Sequence, residues 1–153
     1  MKKRLLLIAM ILSTFTVSVA FAQGADYALT DGLMSKWIRA LQSEDIGSFA
    51  SCYWPEATLF SFNPSETSTL LEGVDSIQSN QASLFAAFDY GAMNLSYPKA
   101  ARFPSRGNNR VIYVYDNRER FGYIEIFYLE RRAGEYRILN QILTMGLPQP
   151  AAH

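Results

Sequence analysis

The sequence predicts an α+β domain in which helices pack on one face of an antiparallel strand meander. Three observations carry this. Apolar residues recur at helical spacing up to about Phe88, the period changes to alternation after Tyr90, and turn residues cut the remainder into four segments joined by short connections.

The first helix is predicted from Asp26 to Gln42, where Leu29, Leu33, Met34, Trp37, Ile38 and Leu41 form one apolar face opposite Lys36, Arg39 and Gln42. Ser43-Glu44-Asp45 interrupts it with capping residues, and Ile46, Phe49, Ala50 and Tyr53 continue as a second, short helix. Pro55 is expected to stop that helix, because proline cannot continue its hydrogen-bond ladder. Ala57 to Phe62 reads as a strand, and 63–68 as a polar loop. A third helix is expected from Gly73 to Phe88, with Val74, Ile77, Leu84, Phe85 and Phe88 on one face. The strands that follow are Ala92 to Phe103, Asn109 to Asp116, Arg120 to Arg131 and Glu135 to Met145, and their separators suit antiparallel hairpins.

Composition narrows the chemistry. The 153 residues carry 14 Lys plus Arg against 14 Asp plus Glu, with 49% hydrophobic residues, one Cys and one His. That is enough apolar content for a core, and the lack of a basic block argues against nucleic acid as a partner. A lone Cys52 cannot form an internal disulfide and reads as a small buried hydrophobe; a lone His153 supplies neither a multi-histidine metal site nor a hydrolytic triad. The glycines are isolated, so no phosphate loop is present, and Glu44, Asp45 and Glu56 read as caps or solvated groups rather than metal ligands. No metal and no cofactor is expected.

The amino end reads as a bacterial secretory signal over residues 1–22: Met1-Lys2-Lys3-Arg4, an apolar run from Leu5 to Val19, and Ala20-Phe21-Ala22 as a cleavage site. Cleavage after Ala22 implies a periplasmic or secreted protein that meets the membrane only during export. It removes three cations, leaving 11 against the 14 anions, so the mature domain is mildly acidic.

Order and spacing of three stretches resemble the nuclear-transport-factor-2-like (NTF2-like) superfamily, which includes ketosteroid isomerases and SnoaL-like polyketide cyclases. The stretches are Trp37 to Asp45 running into Phe49 and Tyr53-Trp54-Pro55-Glu56-Ala57-Thr58; Glu72-Gly73-Val74-Asp75-Ser76-Ile77; and Gly134 to Gln141. The resemblance covers about Tyr27 to Gly146 and implies a SnoaL-like domain over 23–147, followed by a disordered tail over 148–153. It further implies a cone-shaped, cystatin-like curved antiparallel sheet wrapped around three N-terminal helices, with a pocket for a small, partly apolar molecule and often a homodimer through the outer sheet face. In the ketosteroid-isomerase branch a first-helix tyrosine and a late-strand acid form an oxyanion hole, and an aspartate after the first strand is the base. Here Trp37 stands at the tyrosine position and the base position falls near Ser61, so the resemblance does not support steroid isomerisation. The acid position is retained as Glu125.

Glu125 also stands out from its own strand, whose alternate residues are Phe121, Tyr123, Glu125, Phe127 and Leu129. Burial in such a stripe would raise a carboxyl pKa and let it donate a hydrogen bond or act as a general acid. Pairing with Arg137 or Arg110 across the sheet is the structural alternative. The last strand offers two parities, and the family pattern favours Leu139, Gln141, Leu143 and Met145 facing the cone, with Gln141 near Glu125. The other face, with Ile124, Ile126 and Tyr128 beside Ile138 and Ile142, is apolar enough to require cover, which a homodimer would supply; an amino-terminal or tail segment folded over that surface is the alternative. Candidate ligand-binding residues are therefore Trp37, Tyr53, Phe62, Phe85, Tyr123, Glu125, Phe127 and Gln141, and Glu125 is the one catalytic candidate. The expected function is binding of a small, partly apolar molecule without a complete catalytic set. The competing expectations are an isomerase, cyclase or dehydratase using Glu125 as its acid, and a protein-interaction module.

Overall fold

The computed structural model describes residues 27–63, 68–92, 100–104, 109–118 and 122–145. The predicted signal segment and tail lie outside the described residues. Helix α1 spans 27–42, and its Met34, Trp37, Ala40 and Leu41 are buried at the spacing that amphipathicity requires. A turn through Glu44, in the left-handed region at φ 53°, leads to α2 (Ile46–Ala50), whose N-cap Asp45 accepts a hydrogen bond from the Ser48 amide at 2.9 Å.

Strand β1 (Tyr53–Phe62) starts earlier than the sequence suggests: Tyr53 belongs to it and not to the second helix. Pro55 does not terminate a helix but lies inside this strand, where the register with its neighbour slips between Tyr53 and Thr58. A proline has no amide hydrogen to give a ladder, and such an irregularity is where a sheet tolerates it. Strand β2 (Thr69–Glu72), which the periodicity does not reveal because only four residues carry it, pairs antiparallel with β1. Gly73 at φ 79° forms the N-cap of α3 (Val74–Ala87). Then follow β3 (Ala100–Pro104), β4 (Arg110–Asn117), β5 (Tyr123–Arg132) and β6 (Glu135–Thr144).

The six strands form one sheet in the order β2-β1-β6-β5-β4-β3. The predicted hairpins are present, and β3–β4, β4–β5 and β5–β6 are all antiparallel; β1 joins β6 in parallel, so the sheet is mixed. The β5–β6 turn is two residues long, with Ala133 at φ 50° and Gly134 at φ 87°, the backbone handedness that matches strand twist.

On β6, Tyr128 of β5 faces Asn140 while Leu129 faces Ile138, which leaves Leu139 unpaired. This bulge inverts the side-chain parity along one strand. Before it, Tyr136 and Ile138 are buried; after it, Gln141 is. The two parities open in the sequence are therefore both used, one on each side of Leu139. The expectation that Ile138 lies on the outer face with Ile142 is corrected: Ile138 is fully buried in the core. The core joins α1, α2 and the inner sheet face, with Trp37 set edge-on to Phe127 at 5.0 Å between ring centres and Phe49 stacked at a tilt on Tyr53 at 5.1 Å.

Cys52 is fully buried there, and desolvation pushes its thiol up to about 11. Because the thiolate is the reactive form, Cys52 in the native protein is expected to react with 5,5′-dithiobis(2-nitrobenzoate) at pH 8 at least about 100-fold more slowly than after denaturation; fast titration of the native protein would contradict this burial.

Candidate functional site

A cavity of about 460 Å3 opens between the inner sheet face and the helices. Leu59 and Ser61 of β1, Tyr123 and Glu125 of β5, and Gln141 and Leu143 of β6 form its floor. Trp37 and Leu41 come from α1, and Asn80, Gln81 and Leu84 from α3, while Phe88 and Tyr90 follow the end of that helix. The surface is mostly apolar with a few polar groups, the composition of small-molecule sites of roughly 300–1,000 Å3.

The polar groups of the floor are ordered by one directional chain. The Trp37 indole donates to the Tyr53 hydroxyl at 2.8 Å, Tyr53 donates to Gln141 Oε1, and Gln141 Nε2 donates to Glu125 Oε1 at 2.7 Å. An indole N–H can only donate, so Tyr53 accepts there and spends its own proton on the amide oxygen. That turns the amide nitrogen of Gln141 towards Glu125. Glu125 is buried, 5% exposed, and the expected neighbour on β6 is the one it has. The arginines considered as its partners are engaged elsewhere: Arg110 pairs with Glu130 and Arg137 with Glu135. Burial, as the leading cause, holds the Tyr53 hydroxyl well above the usual phenol range, so it remains a donor at neutral pH. On the other side of Glu125, its register partner Tyr115 is also pushed up, first by burial and then by Tyr113, whose hydroxyl donates to Asp31 at 3.0 Å.

Four of the eight candidate residues, Trp37, Tyr123, Glu125 and Gln141, line this cavity. Tyr53 and Phe127 are too deep to do so: both are essentially fully buried, Tyr53 as the second member of the chain and Phe127 between Trp37 and Tyr115. Phe62 is 39% exposed and alternates with the cavity residue Ser61, so strand parity puts it on the outer sheet face. Phe85 packs against Phe49 and Tyr90 and contributes to a separate shallow depression beside Glu44 and Asp89. Sequence reasoning missed Gln81. The signal was present, since Ile77, Gln81, Leu84 and Phe88 follow helical spacing and only one of them is polar. Glu44 accepts from the Tyr90 amide at 3.0 Å and so ties this cavity wall to the α1–α2 turn, while Glu56 lies not in a turn but in β1, where it pairs with Arg132.

No protein-family model and no curated protein matches the chain. Solved structures do. A ketosteroid isomerase-like protein from Erwinia carotovora atroseptica superposes with a TM-score of 0.59 at 15% identity, covering 79% of this chain and 96% of that one. A protein with a cystatin-like fold from Caulobacter vibrioides gives 0.63 at 13%, covering 81% and 92%. An NTF2-like protein of unknown function from Pseudomonas putida gives 0.57 at 11%, covering 80% and 87%. The chain thus has the cystatin-like α+β fold of NTF2-like and ketosteroid isomerase-like structures; at these identities the likeness speaks for the fold alone.

The floor makes a graded stability prediction. Gln141→Leu removes the acceptor of the Tyr53 hydroxyl and the amide donor to Glu125 Oε1 and should cost about 1–3 kcal/mol, whereas Trp37→Phe leaves Tyr53 its acceptor and should cost less. Urea unfolding of the two variants checks the order, and equal losses would argue against the chain.

Proposed function

We propose that the domain binds a small, partly apolar molecule in the cavity floored by Glu125 and Gln141. The observation that carries this reading is a buried carboxyl group, held by a directional hydrogen-bond chain, at the edge of an apolar cavity of suitable size. A core-only role would leave such a group unexplained, since burying a carboxyl beside apolar side chains is costly. Trp37 and Ser61 stand where a phenol and a carboxylate base would be needed for ketosteroid isomerisation. Among the described residues that line the cavity Glu125 is the one acid, and a single acid orients a ligand more readily than it completes a proton shuttle. The second reading, an isomerase, cyclase or dehydratase with Glu125 as general acid, is favoured by that same burial and differs in requiring turnover.

We also propose export, on the strength of the leader segment, and cover of the outer sheet face by a second copy. Supporting the latter, Leu70, Phe60, Ile142, Ile126, Val114 and Ala101 are successive register partners and form an apolar row across all six strands. Six strands make a face about 24 Å wide, the scale of patch that a two-fold interface covers.

Thermal-shift screening of small aromatic and alicyclic compounds against the mature domain should give hits whose shift falls by at least half in Glu125→Gln. If every hit shifts that variant as much as wild type, Glu125 is not a ligand contact. Light scattering at micromolar concentration should give the mass of two chains, with Ile126→Asp returning it to one; a wild-type mass of one chain would reject the dimer.

A further inference from the structure

The chain from Trp37 accounts for the polar groups at the Glu125 end of the cavity floor but not for those at its β2 edge. On the inner face β1 and β2 set Leu59 opposite Leu71, and at the next inward-facing level Ser61 opposite Thr69. All four line the cavity, so both strands change from leucine to hydroxyl at the same level. The apolar alternation of an inner sheet face would continue with apolar residues there, and departures from such a pattern concentrate at functional sites. On the outer face of β1 a polar pair of the same kind bonds to itself: Thr58 and Asn140 are register partners, and Asn140 Nδ2 donates to Thr58 Oγ1 at 2.7 Å. Ser61 and Thr69 make no such bond, and neither hydroxyl has a hydrogen-bond partner among the described residues. In the register Leu143 stands between Ser61 and Glu125, which separates the two polar ends of the floor by two strand spacings, about 10 Å.

We propose that Ser61 and Thr69 hold the polar end of the bound molecule, and that this end is a neutral hydroxyl rather than a carboxylate. This rests on the ligand-binding reading above and specifies its ligand class and orientation. Opposed side chains on one sheet face stand about 5 Å apart at Cβ, so a single ligand oxygen between them is within reach of both. Each protein hydroxyl can donate or accept, and an alcohol can accept from one while it donates to the other. Charge acts in the same direction. Among the described residues the cavity is lined by no Lys, Arg or His, so a ligand carboxylate would be desolvated with no cation to pair it. The apolar body of the ligand then rests on Leu59, Leu71 and Leu143, the neighbours of the pair along and across the strands.

The test uses three probes of one skeleton, 2-naphthalenemethanol, 2-ethylnaphthalene and 2-naphthoate, titrated calorimetrically into the wild-type protein, Ser61→Ala, Thr69→Val and the double variant. Because neither hydroxyl bonds to a described residue, all three variants are expected to melt as wild type does. The alcohol should lose at least about threefold in affinity in each single variant and at least about tenfold in the double, while the hydrocarbon keeps its affinity within about twofold throughout. In wild type the carboxylate should bind at least about tenfold more weakly than the alcohol. An alcohol affinity unchanged in the double variant overturns the role of the hydroxyl pair while leaving the cavity reading intact. A parallel loss for the hydrocarbon does the same, since it would mark the pair as shaping the wall. A carboxylate that binds wild type as tightly as the alcohol overturns the selection of a neutral end. Binding of no probe by wild type overturns both the proposal and the cavity reading.

Discussion

Strand β6 has to serve two masters, and the unpaired residue Leu139 is what allows it. On one side of the bulge Tyr136 and Ile138 complete the core beneath α1 and α2; on the other, Gln141 and Leu143 form the floor of the cavity. A regular strand would keep one parity throughout. With Ile138 inward it would turn Gln141 out to the opposite face, and Glu125 and Tyr53 would lose the amide that joins them. The neighbouring strand carries the matching irregularity around Pro55, where five steps along β1 correspond to two along β6. Both distortions occur at the same level of the sheet, the boundary between packed core and cavity.

From that boundary the polar chain is determined by valence. The indole of Trp37 can only donate, the phenol of Tyr53 passes the direction on, and the amide of Gln141 delivers it to Glu125. Each member is buried, so a reversal anywhere would strand a donor against a donor. The chain thus gives a flat, aromatic interior one fixed polar point. The hydroxyls of Ser61 and Thr69 at the β2 edge give it a second, and the apolar side chains between them leave a space that neither the core nor the helices fill.

Much of this was legible in the residues. The helical stripe of α1, the alternation of β4 and β5, the Ala133-Gly134 turn and the burial of Cys52 and Glu125 follow from local pattern, because period 3.6 and period 2 are written directly in the chain. The Glu125–Gln141 pairing was also foreseeable once the two strands were taken as neighbours. Four positions show where local pattern stops. Tyr53 reads as helical by its spacing from Phe49 but is a strand residue; Phe62 is expected in the cavity and Ile138 on the outer face, and each lies on the opposite one; and the apolar stripe of α3 marks Gln81 as its polar member without telling that it lines a cavity. In each case the deciding fact is non-local: the parallel pairing of β1 with β6, the bulge at Leu139, or the hollow that forms only when α3 lies across the sheet.

The sequence by itself determined the α+β class, the order of most elements, and the placing of an acid in an aromatic stripe. These depend on residue type and on the two short periods of regular backbone. Only the tertiary structure decided which face each strand residue occupies beyond an irregularity, which aromatic rings are core and which line the cavity, and which way the amide of Gln141 points. A bulge adds a single residue that no composition or period announces, yet it reverses every side chain after it. The direction of a hydrogen-bond chain, in turn, exists only when a donor-only group such as the Trp37 indole is brought to its end by folding.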